Sequence, residues 1–148
     1  MGNRLKRFVE SIAVVGLVAA LAGCETVPTE QEFYPQAGAP HTLTYKDAAG
    51  KEAVSFDLTG KWETQYYGDK EVVNIKQTGD RFQGYKTIGS RNKDAGALTI
   101  DGEVNGSWVN CQTYLSRSSR VLRTSKLSRN IDEFECGGDG PRKLKRVE

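Results

Sequence analysis

Few side chains in this sequence are equipped for covalent or metal chemistry. His41 is the single histidine, and the three cysteines are Cys24, Cys111 and Cys136. A Ser-His-Asp or Cys-His arrangement needs a histidine within reach of its nucleophile. His41 precedes the body of the chain, so no such arrangement is expected inside it, and no histidine-based metal site either. Asp57, Glu63, Asp101 and Glu103 leave carboxylate catalysis formally open, but nothing marks two of them as a facing pair. Acidic residues on antiparallel strands usually form the wet face. No Gly-rich phosphate loop precedes a helix. The sequence therefore names no cofactor and no metal, and it points away from an enzyme.

The most concentrated chemistry is cationic. Ser116 to Asn130 reads SRSSRVLRTSKLSRN, with Arg117, Arg120, Arg123, Lys126 and Arg129 at intervals of three and no acid among them. A second cluster, Arg142, Lys143, Lys145 and Arg146, follows. A three-residue period aligns charges on a 3₁₀ or polyproline-like rod and alternates them between the faces of a strand. Read as a site, the segment is an anion-binding surface for envelope lipid phosphates, an acidic glycan or an acidic protein, because arginine favours bidentate phosphate contacts. Read as scaffold, it is a solvated loop that balances an acidic first half. Residues 24–115 carry a net charge of −4 and residues 116–148 carry +4. The whole chain of 148 residues has a net charge of +2, which excludes a bulk polycation that coats nucleic acid. With 27% charged and 37% hydrophobic residues, it is neither a multi-span membrane protein nor wholly disordered.

The elements ahead of these residues read as an address. Arg4, Lys6 and Arg7 precede an apolar run from Ile12 to Leu21. Ten residues of helix span about 15 Å, roughly half a bilayer core, so this is a secretory signal rather than a membrane span. The run ends Leu21-Ala22-Gly23-Cys24, which resembles the lipobox of bacterial lipoproteins. That resemblance implies cleavage after residue 23, a diacylglycerol thioether on Cys24 and acylation of the new amino terminus. Two or three acyl chains anchor a protein stably where one binds only marginally. Glu25 in the next position resembles proteins sent on to the outer membrane of a Gram-negative cell. The expected location is thus the bacterial envelope, lipid-anchored, and nucleic acid is not an expected partner. Residues 24–41, with Pro28, Pro35 and Pro40, read as a tether that reaches roughly 20–25 Å if flexible. The alternative is that Phe33 and Tyr34 fold back onto the body.

Residues 42–148 are expected to form the folded domain. From Thr42 onward, short alternating runs are separated by turn signals. TLTYK, AVSFDL, KWETQYY, EVVNIKQ, RFQGYKTI, ALTIDGEV, SWVNCQTYL and DEFEC each place apolar residues on one face. Phe82, Gly84 and Ile88 are in phase, as are Leu98, Ile100 and Val104. Asn105-Gly106 is a strong two-residue hairpin signal. No helical stripe is sustained between 42 and 115. The fold class is therefore all-β, a small antiparallel meander barrel or sandwich of about eight strands. Gly84 and Gly102 lie inside strand runs, where such glycines permit the bends that curl a sheet shut.

The segment Leu58-Thr59-Gly60-Lys61-Trp62, with Phe82-Gln83-Gly84-Tyr85 beyond it, resembles the opening of avidin-like and other calycin barrels. The resemblance implies that Trp62 is a structural plug at one barrel end; no aromatic cage for biotin accompanies it. In an oxidising exported setting Cys111 and Cys136 are expected to pair. Strands two apart in a sheet are about 10 Å from each other, too far for a disulfide. A bridge thus requires that 116–130 be a loop, or that it cross the interior or join strand ends. The functional expectation is a non-enzymatic, membrane-anchored envelope lipoprotein with a binding or structural role. The alternative is an inhibitor of an exported lysozyme or protease, acting through the loop GSRNKDAG. A carrier would need an apolar cavity of roughly 300 Å³ or more.

Overall fold

The computed structural model describes residues 32–66, 68–88, 94–114, 120–137 and 142–147. These form ten strands: β1 (Thr42–Lys46), β2 (Glu52–Phe56), β3 (Gly60–Tyr66), β4 (Asp69–Thr78), β5 (Arg81–Lys86), β6 (Leu98–Asn105), β7 (Trp108–Tyr114), β8 (Arg120–Lys126), β9 (Glu133–Cys136) and β10 (Arg142–Val147). β1 and β2 form a separate hairpin. The other eight make one antiparallel sheet in the order β8-β7-β6-β5-β4-β3-β10-β9. That order is an up-and-down meander whose two ends, β8 and β9, meet. The all-β barrel expected from alternation is the fold observed, nearly closed.

Alternation sets the inside. Phe82, Ile100, Val104, Val109, Val73, Ile75, Phe134 and Leu144 are all buried on the inner face. Trp62, Phe134 and Phe82 stack edge to face along the axis, with centroids 4.9 and 5.9 Å apart. Such pairs add about 0.5–1.5 kcal/mol each beyond their burial. The strand reading misses at Ile88, which lies past the end of β5 and is exposed, while Lys86 takes the inner position. A register shift against β6 lies between Gly84 and Tyr85, pairing resumes at Tyr85 with Leu98, and β5 ends at Lys86, two residues short of Ile88. The hairpin at Asn105-Gly106 forms, but Asn105 pairs with Trp108, so the two turn residues are Gly106 and Ser107. Gly102 is closely approached by its neighbours: a side chain there would collide with the Asn110 carbonyl and the Phe82 ring.

Trp62 plugs one end of the barrel. It is fully buried, and its Nε1 donates to the Leu58 carbonyl at 2.7 Å. The Arg146 guanidinium lies 4.6 Å from its ring and donates to the carbonyls of Asp57, Thr59 and Ile131. Gln77 locks the β2–β3 connection to the β4–β5 turn. Its Oε1 accepts from Leu58 N–H and its Nε2 donates to the carbonyls of Phe56 and Gly79. The same end is covered by part of the segment read as a tether. Phe33 packs on Phe56 with centroids 5.4 Å apart, and Trp108 Nε1 donates to Glu32. Of the two readings of that segment, fold-back holds for Phe33, and contact with the barrel begins by Glu32.

The barrel closes without a final ladder. Between β8 and β9 serine side chains substitute for strand pairing: Ser125 Oγ donates to the Glu135 carbonyl and accepts from the Glu135 N–H, and Ser128 Oγ accepts from the Glu133 N–H. Arg123 and Glu135 add an ion pair at 3.7 Å. The end of β9 then crosses over the inner side of β8. Gly137 N–H donates to the Cys111 carbonyl, and Thr113 Oγ1 donates to the Gly137 carbonyl. Only glycine fits this crossing, because a Cβ at 137 would meet the Val121 carbonyl. The crossing brings Cys136 beside Cys111, with Cα atoms 4.9 Å apart, and the two form a disulfide. The segment 120–126 is a strand, so the bridge takes the interior route rather than the loop route.

The bridge spans 25 residues, for which chain entropy gives about 3.5 kcal/mol. The Cys111→Ser/Cys136→Ser double variant is expected to lose about 3–4 kcal/mol in urea unfolding. Its amide protection should fall first in β8 and β9. Uniform loss of protection across all ten strands would contradict a local seam. Gly137→Ala should destabilise by about 1–3 kcal/mol even with the disulfide intact.

Candidate functional site

The basic segment is the first site to place. Arg117 and the side chain of Arg120 lie outside the described residues. Arg123 is paired with Glu135 across the seam. Lys126 lies 5.7 Å over the Trp108 ring and Arg129 lies 5.9 Å over the Phe33 ring. As strand alternation requires, β8 sends position 123 to the face opposite that of positions 122, 124 and 126, because Arg123 shares parity with buried Ser125. Arg123 is thus separated from Lys126 and Arg129, which stand together at the end of the barrel occupied by Glu32 and Trp108. The second cluster serves the scaffold. Lys143 and Lys145 flank Glu133 at 2.5 and 3.6 Å, Arg146 holds the Trp62 end, and Arg142 is buried. In β10 alternation separates these residues, with Arg142 facing in and Lys143 and Lys145 facing out.

Arg142 belongs to an ionic group inside the barrel that sequence inspection does not reveal. Glu71 Oε1 accepts from Lys86 Nζ and its Oε2 from Arg142 Nη2, both at 2.6 Å, with all three side chains at least 91% buried. They come from β4, β5 and β10. Each is near the barrel end opposite Trp62, where β3 turns to β4, β5 leads to β6 and β9 leads to β10. Thr64 lies opposite Glu71, and its buried Oγ1 has no hydrogen-bond partner. Burial alone would push the Glu71 carboxyl up; the bond from Lys86 and the charges of Arg142 and Lys86 outweigh it and hold it below the usual carboxylate range. The only available signal was weak: Glu71, Lys86 and Arg142 each occupy an inward position of an alternating run.

A third feature lies on the outer face of β4 to β8, a solvent-open hollow of about 860 Å³. Its wall is a linked row of polar side chains. Tyr114 donates to Asp101 at 2.6 Å, Gln112 donates to Tyr114 at 3.2 Å, Asn110 donates to Glu103 at 3.1 Å, and Thr124 donates to Asn110 at 2.7 Å. Leu122 stands 65% exposed at its margin. Asp57 lies past the end of β2 rather than on a strand, and the four carboxylates have structural partners: Asp101 and Glu103 here, Glu63 with Lys70 at 2.6 Å, and Asp57 with the Thr59 N–H at 2.8 Å.

Among the described residues, no three His, Cys, Asp or Glu side chains are grouped to hold a metal ion. Cys24 lies outside the described residues, as do residues 89–93 of the loop GSRNKDAG; Asp94 to Gly96 of that loop are exposed. Compared with models of protein families, with curated proteins and with solved structures, the chain matches none.

Replacing Glu71 tests the interior group. Glu71→Gln leaves Lys86 and Arg142 buried without their carboxylate and should cost about 3–5 kcal/mol. The native Glu71 pKa lies below its unfolded value, so its contribution is complete above about pH 4.3 and is lost as the pH falls through the folded value. The unsubstituted protein should therefore lose more stability below about pH 4 than Glu71→Gln does, measured by urea unfolding at each pH. Parallel curves would show that Glu71 is not ionised in the fold.

Proposed function

We propose that the protein is a non-enzymatic envelope lipoprotein, anchored through acyl chains on Cys24, which works by the outer surface of a filled barrel. One observation carries the surface role. The axis of the barrel is occupied by Trp62, Phe82, Phe134, Ile75, Ile100, the Cys111–Cys136 bridge and the Glu71 ion group. An enclosed carrier needs roughly 300 Å³ of apolar space, and among the described residues these buried side chains occupy the inner face that would line it. The outer hollow is open to solvent and its lining mixes polar side chains with Phe82 and Leu122, suited to a surface partner rather than to a sequestered ligand. The non-enzymatic part of the reading is supported by the single histidine, by carboxylates held in structural bonds, and by thiols joined in a buried disulfide.

The anchor is supported by the basic arm, the short apolar run and Leu21-Ala22-Gly23-Cys24 together. The disulfide agrees with an oxidising compartment beyond the cytosol.

Two measurements test the reading. The protein purified from membranes of a bacterium that processes lipoproteins should begin at an acylated Cys24 by mass spectrometry. Cys24→Ala should move it to the soluble fraction. An unmodified chain beginning at Met1 would refute the anchor. An apolar fluorescent dye should stay dim with the native protein, whereas bright emission saturating at one dye per chain would restore a carrier.

A further inference from the structure

The end of the barrel at which the amino-terminal segment arrives carries an unusual group of exposed side chains. Tyr34 is 66% exposed and Trp108 is 40% exposed. Both are fixed by Glu32: Tyr34 donates to Glu32 Oε2 at 2.7 Å, and Trp108 Nε1 donates to Oε1 at 3.1 Å. Lys126 is the strand partner of Trp108 and lies over its ring. Arg129 follows in the next turn, over Phe33. Two amphipathic aromatics and two cations around one carboxylate are the composition that settles at a lipid headgroup layer. Trp and Tyr partition to that interface, and Lys and Arg meet anionic headgroups.

The length of chain between the lipidation position and the first contact limits the geometry. Eight residues separate Cys24 from Glu32, and fully extended they span at most about 28 Å. β4 alone, with ten residues, runs about 33 Å. The leash is therefore shorter than the barrel it holds, and cannot pass around it. We propose that this end of the barrel docks on the membrane, with Tyr34 and Trp108 seated among the lipid headgroups and Lys126 and Arg129 against anionic phosphates. The inference rests on acylation of Cys24, and it adds an orientation. The opposite end, where β3, β5, β7 and β9 lead into their connections and the Glu71 group is buried, points away from the bilayer.

The two tryptophans make the test direct. Trp62 is fully buried behind Arg146 and Leu58, so bromine-labelled lipid acyl chains reach Trp108 but not Trp62. The full chain is expressed with its signal, purified from membranes and reconstituted into vesicles containing anionic lipid brominated near the headgroup. The same sample is analysed by mass spectrometry at Cys24. Acylated protein should lose about half of its Trp108 emission, reflecting shallow insertion of 5–10 Å. Lys126→Gln with Arg129→Gln should reduce that quenching in anionic vesicles, and 0.5 M salt should do the same to the unsubstituted protein. Emission from Trp62 in each variant reports that the barrel is folded. Acylated protein whose Trp108 stays unquenched would overturn the docking and leave the anchor standing. Absence of acylation would overturn both. Trp108 shielded at high protein concentration without lipid would assign the patch to a second copy instead, and would also overturn it.

Discussion

The structure depends on how its sheet is closed. A meander of eight strands has two free edges, and unpaired edges expose rows of backbone donors and acceptors. Here β8 and β9 meet without a ladder, so closure falls to Ser125, which both donates to and accepts from the backbone of Glu135, to the Gly137 crossing and to the Cys111–Cys136 bond. The bridge skips a strand: Cys111 belongs to β7, and the chain beyond β9 reaches it by lying across β8. That route is open because residue 137 has no side chain. Glycine at 137 and cysteine at 136 are thus one device, the first making the approach and the second fixing it.

The interior that results is not uniform. Around Trp62 the contacts are apolar and aromatic, and the Arg146 guanidinium is spent on three carbonyl oxygens and the indole face. Around Glu71 the contacts are ionic. A buried ion group contributes less to net stability than well-packed apolar residues of the same size, but it is strict about geometry: each partner must be present and in register. Glu71, Lys86 and Arg142 come from β4, β5 and β10, so the group ties a late strand to early ones. It discriminates against a slipped register more than it adds net stability.

Much of the fold was legible in period-two alternation. Val73 and Ile75, Phe82, Ile100 and Val104, and Phe134 all face inward as their phase requires, because in a half-buried strand the solvent enforces the pattern. The strands that were hard to read are those whose inward positions are polar or whose outward ones are uniformly basic. β8 alternates Arg, Val, Leu, Arg, Thr and Ser, and its buried inward residue is Ser125; β10 begins with an arginine that faces in. Hydrophobic period says nothing about a lysine or glutamate buried by a partner 15 or 71 residues away. The cysteine pairing was legible from compartment and count. Its route was not, since the decisive fact is the missing Cβ at Gly137. The basic segment shows the reverse case: a conspicuous period of three in sequence becomes, on a strand with period two, a division between faces.

The position of the cross-link along the chain has a consequence for maturation. Synthesis is vectorial, and Cys136 is thirteenth from the carboxyl end. A polypeptide emerging amino end first exposes Cys111 well before its mate, so β3 to β7 are free to zip together while the cylinder stays unsealed. Sealing waits for residue 136 to emerge, and a molecule truncated shortly before it keeps an open edge with a lone thiol beside it.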